Sequence, residues 1–188
     1  MSVNNLVSQL LYHGLNTVSL VEKSLGLEAP ATKLTDIQTK ELKKIFLSTI
    51  DYSKILIKAG NSHLLTISGR AFVMGNVIYM PKEKYSMQLL VHETTHVWQY
   101  QNGGCGYIGK SLWGQYLGQG YDFVAGISEN KPWEKLNPEQ QASLIEYAYV
   151  GNFFEQGEKE FIYWGRDYTN YLKEALGQLR KGLGARLD

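Results

Sequence analysis

Leu89-Leu90-Val91-His92-Glu93-Thr94-Thr95-His96-Val97-Trp98-Gln99 is the stretch on which the reading of the chain turns. It contains His-Glu-x-x-His. On a helix, residues four apart lie one turn apart on the same side, so the imidazoles of His92 and His96 can grip one metal ion. Glu93 falls about a quarter-turn round, within reach of a water on that ion. Imidazole nitrogens suit Zn²⁺, and this pattern is the signature of a zinc site that hydrolyses peptide bonds. A helix from Met87 to Gln101 gathers Met87, Leu90, Val91, Thr94, Val97 and Trp98 on one face. His92, His96, Gln88 and Gln99 gather on the other. The expectation is a helix docked by its apolar face, with the His pair looking outward. The competing reading is two surface histidines on an ordinary amphipathic helix.

Working outward, the segment before this helix changes period. Ile55–Ile57, His63–Ile67, Ala71–Met74 and Val77–Met80 are short β-rich runs separated by Gly-Asn and Ser-Gly. Met74-Gly75-Asn76-Val77 reads as a two-residue hairpin turn, and the runs as a small antiparallel sheet. Upstream, Leu6 to Leu25 carries apolar residues at helical spacing and ends at Gly26. Thr35 with Gln38 is a capping-box signature. The helix it opens turns Ile37, Leu42, Ile45 and Phe46 inward and Lys40, Lys43 and Lys44 outward.

Downstream, residues 102–130 are rich in Gly, Tyr and Gln and are too long for a passive connector. They read as a partly helical segment, around Ser111 to Leu117, that walls a cleft. Asn137-Pro138-Glu139-Gln140 opens another helix, with Asn at the N-cap, Pro in the first turn and Gln140 completing a capping box. Glu139, Ala142, Glu146, Tyr149 and Phe153 follow one stripe. Phe161 to Leu183 reads as a final helix, with Lys173, Arg180, Lys181 and Arg186 on a solvated face and tail. The whole is one domain over residues 1–188, α+β and mostly helical, with the small sheet preceding the metal helix.

Composition excludes some functions. With 188 residues and a hydrophobic fraction of 44%, the chain can bury a substantial core. A net charge of +1 offers no electrostatic case for nucleic acid, and no run approaches a membrane span. Cys105 is the single cysteine, so no internal disulfide forms. It sits in a Gly-rich loop and reads as incidental. Met1–Asn5 carries no Lys or Arg and Leu6–Leu11 is too short for a signal peptide core. The expectation is a protein made in the cytoplasm without a signal peptide.

Two histidines do not complete a catalytic zinc site, which normally takes three protein ligands and a water. His13 and His63 are poor candidates, because a lone His on a helix or strand is usually a packed or surface residue. Cys105 follows the helix too closely to fold back. A glutamate from the later helix is the economical solution, and Glu139 and Glu146 both qualify.

Three stretches, Gly75–Met80, Leu90–Gln99 and Asn137–Ala142, together resemble the zinc metallopeptidase-like domains associated with type VI secretion spike (VgrG) and Rhs proteins. These are similar to the wider gluzincin peptidases. The resemblance spans roughly residues 70–155 and implies a zincin-like fold. In gluzincins the third ligand is a Glu in Glu-x-x-Ala on a downstream helix. Glu139-Gln140-Gln141-Ala142 matches that pattern and Glu146 does not. Glu146 then reads as an acceptor for a ligand histidine's other N–H.

The implied activity is a zinc metalloendopeptidase with His92, His96 and Glu139 as ligands and Glu93 as general base. An edge strand, Val77–Met80, would pair with substrate backbone. Tyr107, Tyr116, Tyr121 or Tyr147 would stabilise the oxyanion. The implied role is an antibacterial effector with a protein or peptide substrate, a secretion spike partner and an immunity protein, delivered to the target-cell periplasm. The chain departs from larger members in having no spike region and no Rhs repeats. The rival reading is a catalytically weak binding or adaptor module on the same fold; an intact Glu93 argues against it. A purely structural zinc site would be closed and rich in cysteine.

Overall fold

The computed structural model describes residues 29–60, 69–104 and 120–185, together with the helical positions Gln9, Leu10, His13, Gly14, Thr17, Leu20 and Val21. His63, Cys105, Tyr107, Tyr116 and the expected helix around Ser111–Leu117 lie outside the described residues, as does most of the expected N-terminal helix. The fold is mixed α+β. Strand β1 (Ala31–Lys33) leads into helix α1 (Asp36–Phe46), followed by β2 (Leu56–Ala59), β3 (Phe72–Met74) and β4 (Val77–Met80). Then come α2 (Met87–Gly103), α3 (Phe123–Ser128) and α4 (Pro138–Val150), a hairpin of β5 (Ile162–Tyr163) and β6 (Arg166–Asp167), and α5 (Thr169–Leu179). Among the described residues no helix is long and apolar enough to cross a membrane.

The main sheet has the order β1-β2-β4-β3 and is mixed rather than antiparallel, because β2 and β4 run parallel. The reason is in the residues. Ile78, Tyr79 and Met80 of β4 are all fully buried, whereas β3 is a three-residue strand with its first residue half-exposed. The more apolar arm of the β3–β4 hairpin takes the centre of the sheet beside β2, and the poorer arm is left at the edge. The expected substrate-pairing edge, Val77–Met80, is therefore interior, and among the described strands β1 and β3 are the outer ones.

Both capping boxes form. Thr35 and Gln38 close the N-terminus of α1, and Asn137 and Gln140 that of α4, each satisfying backbone N–H groups that the first turn leaves free. Leu42, Ile45 and Phe46 of α1 are buried, but Ile37 is 77% exposed, being in the first turn and beyond the reach of the core. The expected C-terminal helix begins only at Thr169. Residues 161–167 form the β5–β6 hairpin instead, a turn signal that Trp164-Gly165 carried in the sequence. Nor is Arg180 solvated. Its guanidinium donates to the carbonyls of Lys44 and Ile45 at the end of α1 and pairs with Glu158.

Helix α2 is the axis of the core. Residues Leu90 to Gln99 are buried without interruption, so the outward polar face expected for His92, His96 and Gln99 does not exist. That face packs on α4, its most extensive neighbour, while the opposite face meets β3, β4 and α1. Trp98 donates its indole N–H to the Leu179 carbonyl at 3.1 Å and packs on Trp133, whose own N–H reaches Leu183. The C-terminal segment thus closes over the end of α2. There Gly103 lies so near the chain that a Cβ would stand 2.4 Å from the Ala185 carbonyl oxygen. Replacing Gly103 by Ala should cost about 1–3 kcal/mol through forced displacement of that segment. Gly177 is the control: it is exposed, in the interior of α5, and a Cβ there meets nothing within 4 Å. Gly177→Ala should stabilise by about 0.5–1 kcal/mol. Thermal or denaturant unfolding of the two variants checks both signs.

Candidate metal centre

Helix α2 supplies three residues of the site and α4 two. His92 and His96, one turn apart, have ring centroids 5.2 Å apart at 75°. Their Nε2 atoms converge on a single carboxylate: His92 Nε2 lies 3.3 Å from Glu139 Oε2, and His96 Nε2 lies 3.4 Å from Glu139 Oε1. Glu139, in the first turn of the capped helix α4, has no solvent exposure. One donor atom from each of His92, His96 and Glu139 lies within 4.8 Å of the others, so the three could hold a metal ion.

The outer nitrogens of both rings are tied. His92 Nδ1 donates to Glu146 Oε2 at 2.8 Å, while Glu146 Oε1 accepts from Gln88 Nε2 at 2.6 Å. His96 Nδ1 donates to Gln99 Oε1 at 2.8 Å. The orientation of the Gln99 amide is fixed by its surroundings. Its Nε2 donates to the Pro138 carbonyl and to Gln141 Oε1, and Gln141 Nε2 in turn donates to the carbonyls of Trp133 and Gly184. With a proton held on each Nδ1, both Nε2 atoms are the ones available for a metal. Gln99 is a residue the sequence reading missed; only its place three residues after His96, on the same face, could have marked it. The relay beyond Gln99, through Gln141 to the C-terminal segment, has no sequence signal.

The electrostatics favour a cation. Three carboxylates, Glu93, Glu139 and Glu146, line one cavity with the two imidazoles. Burial opposes charge on His92, yet its bonds to Glu139 and Glu146 outweigh burial and hold its pKa up to about 10. His96 is raised too, burial again being outweighed by Glu139. Burial works against the charge of Glu139 as well, but His96 and His92 hold it well below the usual carboxylate range. Without an ion, protons supply the positive charge that these carboxylates demand; a divalent ion would replace them.

Glu93 sits differently. It is 5% exposed and lines the cavity of about 360 Å³ beside the three donors. Among the described residues its carboxylate makes no hydrogen bond, and neither oxygen is sealed off. Burial raises its pKa, with His92 and His96 opposing. Tyr121, from the loop before α3, stands with its ring 5.8 Å from that of His92 and lines the same cavity. Burial, with Glu139, pushes its hydroxyl up to about 12 against the pull of the Arg70 charge. Tyr121 is thus a protonated donor near neutrality. Tyr147 is not in this cavity; its ring packs on Tyr163 and Phe123. His13 is exposed on the N-terminal helix and takes no part. Edge strand β3 contributes Phe72 and Val73 to the cavity wall, preceded by Gly69 to Ala71.

Comparisons of the chain with protein families, with curated proteins and with solved structures find no match.

The geometry separates two kinds of carboxylate. Glu139→Ala should lower metal affinity by orders of magnitude. Glu146→Ala and Gln99→Ala, which only release a ring, should cost about 10–100-fold. Competition titration against a chelating dye checks this ranking, and a Glu146 variant that loses as much as the Glu139 variant would reverse the assignment.

Proposed function

We propose that the protein is a zinc-dependent metallopeptidase on a zincin-like fold, with His92, His96 and Glu139 as ligands and Glu93 as general base. The observation that carries this reading is Glu93: a nearly buried carboxylate, without a hydrogen-bond partner among the described residues, opening into the cavity beside the donor trio. A network kept only for stability would be expected to pair such a group, since an unpaired buried carboxylate is costly. A base awaiting a proton donor from solvent or substrate needs it unpaired.

Zinc is the metal the donors fit. Two imidazoles and a carboxylate are a catalytic zinc set, and donors about 2.05 Å from one tetrahedral ion stand about 3.3 Å apart. One donor atom from each residue lies within 4.8 Å of the others, a spacing that a small shift on binding would close to that value. Bound there, zinc supplies Lewis acidity to a water and to a substrate carbonyl. The chain's own residues do the rest. Glu93 accepts the proton of the attacking water and returns it to the leaving amine; burial, which raises its proton affinity, suits both halves of that task. Tyr121 donates its hydroxyl to the developing oxyanion, being the described tyrosine among the four candidates that lines the cavity. Phe72 and Val73 of β3 line the cavity wall beside the donors, where an extended peptide would lie.

Glu93→Ala should retain zinc and fold while peptide cleavage falls by about 10²–10⁴-fold. Metal analysis, circular dichroism and a quenched-fluorescent peptide library check the three parts. Cleavage undiminished in that variant would remove Glu93 as base.

The resemblance to secretion-linked peptidases extends the proposal to an antibacterial effector, with a spike protein as carrier and an immunity protein as antagonist. Expression in a bacterial cytoplasm should be harmless. Expression with an added periplasmic signal peptide should arrest growth, and Glu93→Ala should abolish the arrest. Equal growth in both compartments would contradict the destination while leaving the chemistry untouched.

A further inference from the structure

A second cleft, of about 620 Å³, adjoins the metal cavity, and Tyr121 and Glu146 line both. Its other walls are aromatic. Phe123 of α3 is buried at its floor, with Tyr163 at 4.9 Å, Tyr147 at 6.0 Å and Tyr168 at 6.2 Å between ring centroids. At its rim stands Trp164, the tip of the β5–β6 hairpin.

Trp164 violates two rules at once. It has φ +48°, beside Gly165 at +75°, in a two-residue turn that needs both central residues left-handed. Asn, Asp or Gly normally fills the first of these positions, because a large side chain is strained there. It is also 90% exposed, although Trp has more apolar surface to hide than any other residue. One ring face leans on Tyr163, nearly parallel at 15°, and the remainder is presented to solvent over the cleft. A strained, exposed Trp at the mouth of an aromatic cleft is what a binding anchor looks like before its ligand arrives.

The polar groups of the cleft are largely engaged elsewhere. Both oxygens of Glu146 are committed to His92 and Gln88. Asp122 caps α3 through the Ala125 N–H, and the rings of Tyr147 and Tyr163 pack on each other with centroids 4.9 Å apart. Arg166 stands at the exposed rim as a cation; the walls themselves are chiefly ring faces, which suit an apolar or aromatic group better than a cation or the hydroxyls of a sugar. We propose that this cleft receives an aromatic or large apolar side chain of the peptide substrate, next to the bond that is cut, and that Trp164 determines this selectivity. The proposal rests on the peptidase reading, and on the continuity of the cleft with the metal cavity.

The test uses full-length, zinc-loaded protein and a series of matched peptides that differ at one position: Phe, Leu, Ala, Lys or Asp. Native protein should cut the Phe and Leu peptides with kcat/KM at least tenfold above the others. Trp164→Asn should erase most of that preference by lowering kcat/KM on the Phe and Leu peptides toward that on the Ala peptide. It should also unfold at the same or a higher temperature, because Asn relieves the turn; a merely structural Trp164 would not combine these two outcomes. Trp164→Phe should restore much of the preference. A preference that survives Trp164→Asn, or one for Lys or Asp, would overturn the proposal. If no peptide is cut, the peptidase reading fails, and the cleft is judged by calorimetric titration with N-acetyl-Phe-Leu-Phe-amide, the all-Ala tripeptide amide and an N-acetylglucosamine trimer. Binding of the first alone, lost in Trp164→Asn, keeps the assignment of the cleft. Equal binding of the two peptides, binding of the sugar alone, or no binding overturns it.

Discussion

A carboxylate with no access to water must be paired, and the arrangement of this protein follows from how Glu139 is paired. Isolated in the interior, its charge would cost several kcal/mol. The two imidazoles of α2 answer it, and they can do so only if α2 and α4 lie against each other with the polar stripe of each turned inward. That turns the usual logic of an amphipathic helix inside out. The polar face of α2 is as buried as its apolar face, so the polar groups around it must also find partners. Glu146, Gln99, Gln88 and Gln141 are those partners.

The consequence is a site whose rigidity is drawn from distant chain segments. His96 is held by Gln99, Gln99 by Gln141, and Gln141 by the carbonyl of Gly184, where the C-terminal segment crosses the end of α2. His92 is held by a shorter route, through Glu146 and Gln88 alone. Glu93 has no hydrogen bond among the described residues, and only the charges of its neighbours, His92 and His96 foremost, act on it. Under the peptidase proposal, the supported rings are the ligands and Glu93 is the base.

Much of this was legible because it is local. The His92–His96 spacing, the two capping boxes and the Met74–Val77 hairpin are each set by residues within a few positions of one another. The first-turn place of Glu139, beside Ala142, was legible for the same reason. What was not legible depends on contacts between remote segments. Periodicity divided α2 into an apolar and a polar face correctly, but it could not say that α4 would cover the polar one. The β-rich runs were visible, but pairing order was not: the burial of β4, not its place in the chain, puts it beside β2 and leaves β3 at the edge. Apolar spacing across residues 161–183 suggested one helix, whereas Gly165 marks a turn that ends any such run.

The central claim is that a metal ion binds between α2 and α4 on two imidazoles and one carboxylate. X-ray absorption spectroscopy of the zinc-loaded protein tests it most directly, because it reads the ligand atoms themselves. The account predicts scattering from two imidazole rings, with nitrogen and oxygen neighbours at about 2.0–2.2 Å and no sulfur. A sulfur neighbour at about 2.3 Å, which only Cys105 or a methionine could supply, or a shell of oxygen without imidazole scattering, would contradict it.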